Sequence, residues 1–103
     1  MDKRFTLRYL PLFEQDLSAA GDYIAYDLGN PTAALRLIEE TERAIIKRLA
    51  NPLSFEPYHS AKERDHPYYR IRIKSYTVFY VVIGYVMEVR RFVYSKRDLA
   101  KLV

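Results

Sequence analysis

The chain has 103 residues, of which 50% are hydrophobic and 29% charged, and none is cysteine. That length holds one compact domain, residues 1–103, and the apolar fraction is that of a folded chain. Without cysteine there is no disulfide framework, no thiolate metal site and no cysteine nucleophile, and two histidines are too few for a histidine-rich centre, so no metal or cofactor is expected. No apolar run approaches the roughly 18 residues of a spanning helix, and no signal-like segment follows Met1. A soluble, cytoplasmic protein with no membrane partner is the expectation.

The formal net charge is +4, but it is unevenly placed. Residues 1–50 carry 7 basic and 8 acidic side chains, whereas residues 51–103 carry 10 basic and 5 acidic ones. The basic excess belongs to the second half, which points to a polyanionic partner there or to a solvated basic surface.

Arg4 to Tyr9 alternates, with Phe5, Leu7 and Tyr9 on one face, as a half-buried strand does. Pro11 suits a first helical position, and Phe13, Leu17, Ala20, Ile24 and Leu28 then form one helical stripe. Gly29-Asn30-Pro31 punctuates: a left-handed glycine ends one helix, an asparagine caps the next, and a proline opens it. The second helix carries the stripe Ala34, Ile38, Thr41, Ile45 and Leu49, and so short a connection makes the pair an antiparallel hairpin. Asn51-Pro52 stops it, and residues 53–67, with Pro57, Pro67, His59 and His66, read as a long loop.

The last third reads as β. Tyr69, Ile71 and Ile73 alternate with Arg70, Arg72 and Lys74, and Tyr76 to Ile83 is apolar on both faces. Gly84-Tyr85 fits a two-residue turn, and Val86 to Tyr94 returns, with Met87, Val89, Arg91 and Val93 on one face. Residues from Ser95 onward suit a short final helix. The order β-α-α-β-β-β predicts an α+β fold, a helical hairpin packed on a sheet with a C-terminal antiparallel meander, and the first strand at the sheet edge.

The constellation that chemistry could use is basic. Arg70, Arg72 and Lys74 share one strand face at steps of about 6.6 Å, and Lys96 and Arg97 follow the last strand. Tyrosines interleave with them, so stacked bases and neutralised phosphates are one reading and an ordinary cationic sheet face is the other. His66 and Tyr94 are the candidate proton donors or acceptors. Arg91, on an apolar row, requires a carboxylate or backbone partner.

Three stretches carry a resemblance: Asp22-Tyr23-Ile24-Ala25 with Asn30-Pro31, Tyr69-Arg70-Ile71-Arg72-Ile73-Lys74 running on to Tyr80, and Arg91 to Leu99. In order and spacing the chain is similar to the RelE/ParE superfamily of bacterial type II toxins over nearly its whole length. The resemblance implies a growth-arresting toxin held in check by a cognate antitoxin protein. One branch cleaves mRNA on the ribosome without a metal; the other inhibits DNA gyrase and is not an enzyme. A ribonuclease of the first kind is the leading expectation. It would use Arg72 and Arg97 as catalytic residues, Arg70, Lys74 and Lys96 as RNA-binding residues, and Tyr94 or His66 as acid or base. A gyrase inhibitor, or a non-toxic RNA-binding relative, is the alternative. Thr77 stands where the ribonuclease branch often has an arginine, and Val103 where it has a tyrosine.

Overall fold

The computed structural model describes residues 4–58 and 65–96. Strand β1 (Thr6–Tyr9) leads directly into helix α1 (Pro11–Asp22), with Pro11 in the first helical position as its fixed φ favours. A π-helical turn, Tyr23–Asp27, continues α1. Its Leu28 N–H bonds the Tyr23 carbonyl at 3.1 Å and its Asn30 N–H the Ile24 carbonyl at 3.0 Å. The wide turn shifts the helical phase. The stripe expected to run to Leu28 therefore stops short, and Leu28 is exposed.

Gly29 at φ 64° makes the reversal, and the Asn30 side chain accepts the Ala33 N–H at 3.1 Å to cap helix α2 (Pro31–Arg48). The buried face of α2 is Ala34, Leu37, Thr41 and Ile45; Ile38 and Leu49, expected in that stripe, are only half-buried. The connection after α2 folds back on the protein. Pro52 is buried, its carbonyl accepting the Tyr80 hydroxyl at 2.7 Å, and Tyr58 bridges to Tyr68.

Strands β2 (Tyr69–Ile73), β3 (Tyr76–Ile83) and β4 (Val86–Tyr94) form the expected antiparallel meander. β1 lies at the sheet edge, parallel to β4, giving the order β1-β4-β3-β2. Gly84, at φ 60°, turns β3 into β4. Between β2 and β3 the turn is Lys74-Ser75, and Lys74 adopts the left-handed conformation at φ 54°.

Both helices pack on one sheet face. The main core joins Phe13, Leu37 and Ile45 to Ile71, Val78, Tyr80, Met87, Val89 and Phe92. The opposite face has its own cluster of Tyr68, Phe79, Val81 and Val93, with Tyr58 packed on it. A β-bulge connects these facts. Val89 pairs with Tyr80 but Arg91 with Phe79, so Arg90 is an extra residue in β4. Beyond it the alternation inverts. Phe92 turns to the helices and Val93 to the other face, the reverse of the unbroken pattern the sequence suggests.

Among the described residues no helix is long and apolar enough to cross a membrane. The expected final helix lies almost entirely outside them, as do Arg97, His59 and Val103.

Candidate functional site, an arginine-lined sheet face

The face without helices is where the basic strand residues project. Arg70 and Arg72 are exposed on β2, the edge strand, opposite Phe79 and Thr77 of β3. Arg70 holds its guanidinium 5.3 Å from the Tyr58 ring centroid. Arg72 makes no hydrogen bond or ion pair with a described residue. Beside it the buried Thr77 hydroxyl meets the Ser95 hydroxyl at 2.9 Å, and the Ser95 N–H bonds the Ser75 carbonyl at 2.7 Å. These two bonds fasten the end of β4 to the β2–β3 hairpin, leaving Lys96 exposed just beyond.

Two further arginines, which strand alternation alone does not single out, complete the face. Parallel pairing of β1 with β4 puts Arg8 directly beside Glu88. The Glu88 carboxylate is buried, with 7% of its side chain exposed. Its Oε2 accepts from the Arg8 guanidinium, through Nε at 2.9 Å and through Nη2, and its Oε1 accepts Arg90 Nε at 2.8 Å. Burial by itself would raise the Glu88 carboxyl, but the hydrogen bonds and charges of Arg8 and Arg90 outweigh it and hold the group below the ordinary glutamate value. Arg90 in turn lies 5.9 Å from the Tyr68 ring centroid. Four arginines from β1, β4 and β2 thus surround an apolar strip of Phe79, Val81 and Val93, with the Glu88 carboxylate between Arg8 and Arg90 and Glu56 beside Arg70. The face suits an acidic partner that also offers apolar side chains.

The other expected site residues lie apart from it. Lys74 sits in the turn rather than on the β2 face, and its Nζ is 3.6 Å from Glu40 Oε1 on α2. Tyr94, carried across by the bulge, is edge-on to Tyr76 on the helix side at 5.5 Å. Tyr76 itself stacks on Phe92 at 4.8 Å, and burial, then Tyr94 and Tyr23, push its phenol up. His66 is exposed, before β2 begins and at the far end of that strand from Arg72. Arg91 has the carboxylate its position demands: Asp16 on α1, 2.7 Å from Nε. Among the described residues no group of three or more His, Asp or Glu side chains is placed to hold a metal.

No curated protein matches the chain in sequence. Two of the solved structures that share its fold illustrate the likeness. One, "Chromosomal ParDE TA system from P. aeruginosa", superposes with a TM-score of 0.70 at 15% identity, covering 90% of this chain and 98% of that one. The other, an archaeal RelE–RelB complex from Pyrococcus horikoshii OT3, gives a TM-score of 0.54 at 16% identity, covering 93% of this chain and 100% of that one. The family model of the ParE toxin of the type II toxin–antitoxin system parDE matches residues 7–99. With nearly its whole length matched, the chain belongs to the ParE toxin family, within the RelE/ParE superfamily of type II toxins.

Proposed function

We propose that this chain arrests growth without cutting RNA, by binding a protein target, and that the target is DNA gyrase, as its ParE-family membership suggests. The supporting observation is the environment of Arg70 and Arg72. Arg72, the expected catalytic residue, faces Thr77, whose hydroxyl meets Ser95, and neither titrates near neutrality. Arg70 faces Phe79 and lies beside Tyr58 and Glu56, and the Tyr94 ring packs against Tyr76 on the opposite face. Cleavage by attack of a ribose hydroxyl needs a proton acceptor within hydrogen-bond reach. Arginines alone bind and neutralise. In this reading the arginine face receives the antitoxin, an acidic segment that covers Phe79, Val81 and Val93 and pairs with Arg8, Arg70, Arg72 and Arg90, as the toxin–antitoxin assembly of the two structural relatives suggests.

The test applies the purified chain to gyrase supercoiling and cleavage assays and, separately, to ribosomes translating a defined mRNA. Blocked supercoiling or accumulated DNA breaks with intact mRNA is the expected outcome. Transcripts cut between codon positions with gyrase unaffected would establish the ribonuclease instead.

A further inference from the structure

Helix α2 carries two apolar stripes. Ala34, Leu37, Thr41 and Ile45 are buried in the fold. The second stripe, Leu35, Ile38, Glu42, Ile46 and Leu49, lies about 100° further round the helix. Leu35 and Ile46 are 58% and 56% exposed, in one stripe with the half-buried Ile38 and Leu49, so the exposed apolar surface is contiguous rather than scattered.

From Ile38 to Leu49 this stripe borders a trough made of two cavities, and Leu35 extends the stripe beyond them. A cavity of about 310 Å³ lies between it and α1, floored by Tyr9, Phe13, Leu17 and Ile38, with Glu14 and Glu42 at its rim. Further along α2 a second cavity, of about 400 Å³, is bounded by Phe5, Ile46 and Leu49, with Arg4 at its end. Both carboxylates line the same apolar floor, and burial, then Glu42, then Glu14 push the Tyr9 phenol up. From Leu35 to Leu49 the stripe is about 21 Å long, four helical turns. A helix lying in such a groove would read it through apolar side chains at i, i+4, i+7 and i+11.

Charge selects among occupants. A second copy would pair α2 with α2 about a two-fold axis. To cover both Leu35 and Leu49 the axis must pass at residue 42, which sets Glu42 against its own copy, a like-charge contact that costs stability. The same carboxylates oppose an antitoxin segment as acidic as the arginine face calls for. A helix with lysine or arginine near its middle complements them. We infer that this trough is where the toxin grips its target, through a basic amphipathic helix of that protein. It rests on the reading of the chain as a toxin that binds a protein, whichever protein that is.

The experiment expresses Leu35→Asp, Ile46→Asp, Glu42→Lys and Glu42→Gln in the full chain and scores growth arrest against inducer dose. Co-purification with the antitoxin, expressed from the neighbouring reading frame, and thermal unfolding are measured in parallel. Leu12→Asp, at a 46% exposed leucine on the other side of α1, is the control. The expected result is arrest weakened roughly tenfold or more by the two aspartates, more by Glu42→Lys than by Glu42→Gln, and unchanged by Leu12→Asp, with antitoxin binding and unfolding midpoint kept. Should an aspartate variant unfold, the Glu42 pair decides. Undiminished arrest overturns the inference. So does loss of antitoxin binding, which would give the trough to the antitoxin, or a wild-type dimer that Ile46→Asp breaks, which would give it to a second copy. If the wild-type chain leaves gyrase untouched while Ile46→Asp still relieves arrest, the gyrase reading fails and the trough stands. No arrest by the wild-type chain overturns both.

Discussion

Asp16 and Arg91 tie α1 to β4 where that strand runs past its neighbour. β1 pairs with β4 only from Val86 to Val89, so the outer edge of β4 is open beyond that point. Asp16 Oδ2 accepts Arg91 Nε at 2.7 Å and the Phe92 backbone N–H at 3.0 Å, and Oδ1 accepts Arg91 Nη2 at 3.3 Å. One carboxylate therefore serves as the missing strand, as the charge partner of an arginine just past the bulge, and as the link to the helix. Both side chains are largely buried, at 15% and 18% exposed.

Asp16→Ala should cost about 2–3 kcal/mol, because it leaves the Arg91 charge and a strand N–H without partners in a poorly solvated position. Urea unfolding at unchanged m-value measures it. Arg91→Met alone should cost less, since Asp16 keeps the Phe92 N–H, and the double variant should cost less than the two single effects added. Additive effects would show that the pair is not coupled.

The Glu88 site predicts an acid-sensitive contribution to stability. With its native carboxyl held below the ordinary glutamate value, Glu88 takes up a proton first in the unfolded state. Its stabilisation is therefore complete above that ordinary value and is lost as pH falls through the folded value. Glu88→Gln should cost about 1–2 kcal/mol at neutral pH, and the gap to wild type should narrow as the pH drops below the usual glutamate range. A gap constant with pH would deny the role of Arg8 and Arg90 in ionising it.

Much of this was legible because local chemistry and tertiary structure agree. Gly29-Asn30-Pro31 and Gly84 mark their turns by side chains that suit few other conformations, and both do in the fold what they suggest. What escaped depends on pairing between distant segments. Nothing near Arg8 reveals that it meets Glu88, since this follows from a parallel register across 80 residues. The extra residue at Arg90 is silent in a strand whose apolar residues fall on both faces, yet it decides on which side Tyr94 emerges. Lys74 continues an alternating pattern and is no usual turn residue, so its left-handed backbone shows only in the structure.

That backbone leads to a stability prediction. A side chain in the left-handed region costs about 1–2 kcal/mol relative to the right-handed one, and glycine avoids most of this while adding entropy to the unfolded chain. Against it stands the Lys74–Glu40 ion pair, whose side chains are 56% and 39% exposed, so little is lost with it. Lys74→Gly should raise the unfolding midpoint, by about 0.5 kcal/mol in stability, whereas Lys74→Val should lower it. A glycine variant less stable than wild type would mean that the ion pair outweighs the strain.

The arginine face predicts a separation of binding from folding. Arg70 and Arg72 are exposed, and their strand is held by Tyr69, Ile71 and Ile73 on the other side, all buried. Arg72→Ala should leave the urea midpoint within about 0.5 kcal/mol of wild type. Arg70→Ala also gives up its position over Tyr58, a contact of about 0.5–1 kcal/mol at an exposed site. On the reading that an acidic antitoxin covers this face, each change weakens the complex and flattens its dependence on salt, because the lost attraction is the part that added ions screen. The trough on α2 lies on the opposite side of the sheet, so neither change alters its surface. Titrating the antitoxin at several salt concentrations, with Arg70→Ala, Arg72→Ala and the double variant, separates the possibilities. A wild-type affinity indifferent to salt, or one that both alanines leave untouched, would place the antitoxin somewhere other than on Arg70 and Arg72.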